Sequence, residues 1–98
     1  RASTDGYRGC GLTNAVIEYP DPAHPAHQVG VESKQALRER LREMCHAMGA
    51  ADADELADGL LLLIEGSYVS GQAFGERSPA RVLGAMARRL IEASLASR

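Results

Sequence analysis

Apolar residues return every three or four positions along most of this chain, with charged residues between them. From residue 25 to 48, Val29, Leu37, Leu41, Met44, Cys45 and Met48 recur at helical intervals, and Glu32, Arg38, Glu39, Arg42 and Glu43 fill the opposite side. That periodicity predicts an amphipathic helix. His24 or Ala23 stands at its cap position, Pro25 at the first turn where a missing N–H is harmless, and Gly49 at its stop. A second helix is predicted over residues 53–74, opened by Asp52 with Glu55 three positions on and closed by Gly75. Ser78-Pro79 supplies another cap-plus-proline start, and Val82, Leu83, Met86, Leu90, Ile91 and Leu95 mark a last helix over 79–96. Ahead of these, GYRGCGLTNAVIEY at 6–19 predicts a shorter helix from about residue 9, broken by the prolines of PDPAHP. No stretch alternates with period two, so the expected fold is all-α: an antiparallel bundle of four main helices.

The helix at 53–74 is too apolar for a surface element. One stripe is Leu56, Leu60, Leu63, Ser67, Ser70 and Phe74; a second is Ala57, Leu61, Ile64, Tyr68 and Gly71. Leu62, Gly66, Val69 and Ala73 lie between them, and only Asp58, Glu65 and Gln72 form a polar strip. A helix apolar over most of its circumference is buried on more than one side. It also spends glycines at 59, 66 and 71, each costing roughly 0.5–1 kcal/mol against alanine. Small residues let another helix come close, and two-fold pairing is the commonest closed assembly. The expectation is therefore a homodimer in which two helices from each copy form a four-helix bundle. Its candidate interface is Gly59, Leu63, Gly66, Ser67, Ser70, Phe74, Leu83, Met86 and Leu90. The competing reading is a monomer that uses 53–74 as its central core helix.

Composition narrows the function. The chain has 98 residues, enough for one small domain, and a net charge of −2. Its arginines are interleaved with acids, which argues against a nucleic-acid surface on this chain. The ten arginines against the single Lys34, with abundant alanine, are compatible with a GC-rich bacterial genome. Cys10 and Cys45 do not make a disulfide framework. The longest unbroken apolar run, residues 60–64, is far short of the roughly 20 residues that span a bilayer. No signal peptide is visible, so the expected compartment is the cytoplasm, without a membrane partner.

Chemistry is harder to find. His24 and His27 sit at one end of a helix and Cys45-His46 at the other, roughly 30 Å apart. They cannot share one ion within the chain. Glu43-x-x-His46 has di-iron carboxylate spacing, but a second such pair is missing. GCGLTN at 9–14 follows no strand and lacks the last glycine of a dinucleotide loop. Cys45 and His46 are consecutive, so their side chains point about 100° apart. The expectation is no metal, no cofactor and no catalytic residue, hence not an enzyme. The arginines of 38–42 are expected on a solvated face with local ion pairs.

The order of pieces nevertheless resembles a known family. YRGCGLTNAVIE, then PDPAHP, ALRERLREMCHAMGA, DADELADGLLLLIEGSYVSGQAFG and ARVLGAMARRLIEA closely resemble the C-terminal half of TetR/AcrR transcription regulators, across residues 7–95. The resemblance implies that 1–98 are a single regulatory and dimerisation domain, without the N-terminal helix-turn-helix that reads operator DNA. It implies dimerisation through 53–74 and 79–96, and binding of a small hydrophobic effector coupled to operator release in the parent protein. The effector pocket would lie between the two middle helices and residues 7–19. Its candidates are Cys10, Asn14, Leu37, Leu41, Met44, Cys45, Ile64 and Tyr68, with core packing the competing reading for each. The alternative function is a helical interaction and dimerisation module without a small-molecule ligand.

Overall fold

A computed structural model describes residues 17–97. Among them are three α-helices and no strand: α1 (Pro25–Ala47), α2 (Ala53–Phe74) and α3 (Leu83–Ala96). Two 3-10 turns, Gly75–Arg77 and Pro79–Val82, connect α2 to α3. The short helix expected over residues 9–19 lies almost wholly outside the described residues. The described residues form an all-helical fold with three α-helices of the four expected.

Local chemistry explains each boundary. Asp21 accepts from the Ala23 amide at 2.9 Å, and the His24 amide donates to the Asp21 carbonyl at 2.9 Å, closing a turn between Pro20 and Pro25. His24 then caps α1, its Nδ1 accepting from the Ala26 amide at 3.0 Å, with Pro25 in the first turn. The Tyr19 ring stacks on the His24 ring at 4.4 Å. At the other end Gly49 takes φ 75°. Its amide donates to the His46 carbonyl at 3.0 Å and that of Ala50 to Cys45 at 3.3 Å. These are the two bonds of a Schellman motif, and the left-handed residue between them favours glycine. Asp52 caps α2 by accepting from the Glu55 amide at 3.2 Å.

One boundary differs from expectation. Ser78 does cap a segment beginning at Pro79, accepting from the Ala80 amide at 2.9 Å. That segment is 3-10 rather than α, and regular α-helix starts only at Leu83. The buried Ser78 and the proline fix the turn tightly, and the first turn of a helix readily takes 3-10 geometry.

α2 packs on both α1 and α3, while α1 and α3 do not pack on each other. The turn before α2 is tied to the end of α3 by the Ala51 amide donating to the Ser94 carbonyl at 3.2 Å. The helices thus run up, down and up with α2 in the middle. The buried core is small: Leu41 and Cys45 from α1 meet Ala53, Leu56, Ala57 and Leu60 from α2. Leu37, Met48, Leu61, Ile64, Ala87 and Ile91 pack half-buried around it. The assembly measures 40 × 35 × 15 Å. A helix with its side chains is about 10–12 Å across, so this is a single layer of helices, where compact domains ordinarily stack two.

Candidate functional site: an uncovered apolar face on the central helix

The two sides of α2 are treated differently. Toward α1 it is tied by a ladder of ion pairs. Lys34 pairs with Glu65, and Arg38 grips Asp58 at two points, Nε to Oδ1 at 2.8 Å and Nη2 to Oδ2 at 2.7 Å. Arg42 reaches Asp58 at 3.3 Å and Asp54 at 3.7 Å, and His46 Nε2 lies 3.0 Å from Asp54 Oδ1. Positions 34, 38, 42 and 46 repeat every four residues, so all four rungs share one edge of α1. The ion pairs expected within one helix thus run between helices instead. The carboxyl of Asp58 is held down at about 2, chiefly by the hydrogen bonds from Arg38, and the Arg38 guanidinium is raised in return. These groups are partly exposed to solvent, which screens them, so the ladder orients α2 more than it stabilises it.

Away from α1, Leu62, Gly66, Val69 and Ala73 stand at spacings of four, three and four, which places them on one stripe. All four are exposed; Leu62 is 70% and Val69 55% accessible. Beside the stripe, α2, the second 3-10 turn and the start of α3 enclose an open groove of about 220 Å³. Its walls include Leu62, Leu63, Gly66, Ser67, Ser70, Pro79, Val82, Leu83 and Met86. The lining is apolar except for two hydroxyls, and that of Ser67 donates to the Ile64 carbonyl at 2.6 Å.

The candidate interface residues fall mostly here. Leu63, Gly66, Ser67, Ser70, Leu83 and Met86 all line the groove. Leu90 is 40% exposed and Phe74 58%. Gly59 instead faces the chain's own α3: a Cβ there would lie 3.8 Å from Leu90 Cδ1. Gly66 is different, since a Cβ on it would meet nothing within 4 Å. Leu62, absent from the sequence-derived candidates, is the most exposed large apolar side chain among the described residues. Its spacing from Gly66 and Val69 was the signal that could have found it.

The candidate effector residues separate. Leu41 and Cys45 are buried in the α1–α2 core, with Leu37 and Ile64 packed against it. Burial pushes the Cys45 thiol up. Met44 is 56% and Tyr68 37% exposed, outside that cluster. Cys10 and Asn14 lie outside the described residues. Among the described residues, no group of three or more His, Cys, Asp or Glu side chains could hold a metal ion. No described helix is long and apolar enough to cross a membrane.

Comparison with known proteins adds a direction. Over 60 residues the chain is 33% identical to the HTH-type transcriptional regulator YjdC of Escherichia coli (strain K12), and equally to the regulator of that name from Shigella flexneri. The matched stretch is 61% of this chain and 31% of the regulator. The chain thus spans about a third of the length of the curated relatives it matches. No family model matches the chain, and no solved structure does. The chain is similar to a transcription regulator, and its described part is all-helical.

Proposed function

We propose that this chain is the regulatory and dimerisation domain of a TetR-like transcription regulator, pairing through α2 and α3 and binding a small hydrophobic effector. In the parent protein, effector binding would favour an arrangement of the DNA-reading domains that releases operator DNA. A ligand can do this only through different affinity for the two states. The chain itself would play no catalytic part.

The observation that carries the reading is the uncovered apolar face of α2. A single layer of helices leaves Leu62 and Val69 on α2 exposed to water, and contiguous exposed apolar surface marks interaction sites. The similarity to HTH-type regulators supports a regulator role for a protein containing such a domain. Sedimentation equilibrium of the chain tests the pairing: a two-copy mass at micromolar concentration is expected, and a single-copy mass throughout would refute it. A thermal-shift screen against hydrophobic small molecules tests the effector, because a specific binder raises the melting temperature by mass action.

A second reading, an interaction module without a small-molecule ligand, is favoured by one feature. Leu41 and Cys45, two of the effector candidates, are consumed in the core. Dimerisation without any stabilising ligand in the same screen would support it.

A further inference from the structure

We propose that the turn into α1 is a proton-operated latch: neutral His24 holds the turn closed on the first residues of α1, and protonation of His24 in mildly acid solution releases it. The latch is local to residues 19–28 and stands whether or not the chain pairs.

Hydrogen-bond direction fixes the chemistry. The Ala26 amide can only donate, and it donates to His24 Nδ1 at 3.0 Å. That nitrogen must therefore keep a lone pair, which leaves the ring proton on Nε2. His27 presents the opposite tautomer. Its Nδ1 lies 2.8 Å from the Tyr19 carbonyl oxygen, which can only accept, so Nδ1 carries the proton. An imidazolium has no lone pair. A proton on His24 thus deletes the cap of α1, while a proton on His27 leaves its bond intact.

Histidine is an unusual choice for this position. Asn, Asp, Ser and Thr lead at helix N-caps because each offers an acceptor oxygen. Asp52 and Ser78 do so in this chain, accepting from the Glu55 and Ala80 amides. Histidine is the side chain that ordinarily changes charge between about pH 5 and 8. α1 therefore begins with a cap that mild acid can switch off, where the other two stay on. Protonation also sets a cation at the end of α1 where unpaired amides already form a positive pole.

The cap holds a folded-back turn. The Tyr19 ring stacks on the His24 ring at 4.4 Å, and Gln28 Nε2 donates to the Pro22 carbonyl at 3.3 Å. Among the described residues, the titratable groups around His24 are Glu18, Tyr19, Asp21 and His27. α1 packs on α2 alone, and the end of α2 alongside, residues 66–74, carries no charge and one titratable group, Tyr68. Two groups oppose release: the Tyr19 ring attracts a cation, and the Asp21 carboxylate can accept from one. Asp21 Oδ1 already accepts from the Ala23 amide at 2.9 Å, so turning to His24 would cost it that bond. A lone pair engaged by an amide is closed to a proton, so acid favours the open turn.

The test is NMR of the 98-residue chain labelled with nitrogen-15. At about pH 8, long-range proton–nitrogen correlations are expected to show His24 with its proton on Nε2 and His27 with its proton on Nδ1. On acidification to about pH 5, the Ala26 amide resonance should move in step with the His24 ring. In His24→Asn the capping oxygen does not titrate, and the Ala26 amide should stay in place. Urea unfolding at fixed protein concentration should show the wild-type folding constant falling about fivefold relative to His24→Asn over the same change, the loss of one cap. A His24 ring carrying its proton on Nδ1 at about pH 8, or an Ala26 amide that ignores the His24 titration, would overturn the latch. So would a turn that tightens in acid through Asp21, seen as a wild-type gain in stability that Asp21→Asn erases.

Discussion

Arg38 and Asp58 stand on different helices, twenty residues apart in sequence, and meet in a two-point contact at 2.8 and 2.7 Å. A planar guanidinium matches a carboxylate in only a few relative orientations, so this pair reports the rotation of α2 against α1. It also sets a pH dependence. The Asp58 carboxyl is lowered from 3.8 to about 2, first by the Arg38 hydrogen bonds and then by the hydrogen bond from Arg42 and the two positive charges, against the opposing effect of burial. A depressed acid contributes stability that is complete above its unfolded value and lost as pH falls through its folded one. Asp58 should therefore steepen the loss of stability between pH 3.8 and about 2. Urea titrations across that window should show a shallower slope for Asp58→Asn than for the wild type.

Cys45 has no accessible surface and its thiol is raised by burial, so its thiolate is scarce and shielded. In a Cys10→Ser background, Ellman's reagent should modify Cys45 on the order of a hundredfold more slowly in buffer than in denaturant, because the reaction awaits opening of the α1–α2 core. Rapid labelling of the folded chain would contradict the placement of Cys45.

Leu60 touches the centre of a core with only six buried apolar side chains among the described residues. Leu60→Ala removes its transfer energy and leaves a cavity, at a cost of about 2–4 kcal/mol. Small domains have little stability to spare, so the variant is expected to melt far below the wild type or to lack a cooperative transition.

Helix ends offer a finer check. Asp52→Ala deletes the acceptor of the Glu55 amide and should cost about 1 kcal/mol. Gly49→Ala forces a Cβ into φ 75° and should cost about 1 kcal/mol or more. Both are read by chemical denaturation, and neither is expected to alter the dimer constant, since both lie at the α1–α2 turn.

The helices were legible because their signals are local. Asp52, Gly75 and the run between them marked α2 to the residue, and His24, Pro25 and Gly49 bracketed α1 closely. Pro79 was legible as a start, but not the 3-10 geometry that follows the buried Ser78. The groove was half legible. Six of the nine interface candidates line it, yet Gly59 faces the chain's own Leu90, and Leu62 was passed over. A stripe of small residues says that something approaches closely; it does not say whether that is the same chain. The arginines of 38–42 read as a solvated face with local ion pairs for a similar reason. Their acidic partners on α2 become neighbours only when the two helices pack antiparallel.

By itself, the sequence determined that the described chain is helical, where α1 and α2 begin and end, and that α2 carries more apolar surface than one neighbour can hide. Caps, prolines, left-handed glycines and hydrophobic period all act within a turn or two of the residue concerned. Only the tertiary structure decided which side of α2 receives α1, which receives α3, and which is left uncovered at Leu62, Gly66 and Val69. A helix apolar nearly all round can be packed from several directions at similar cost, and the choice falls to ion pairs and side-chain fit between residues far apart in the chain.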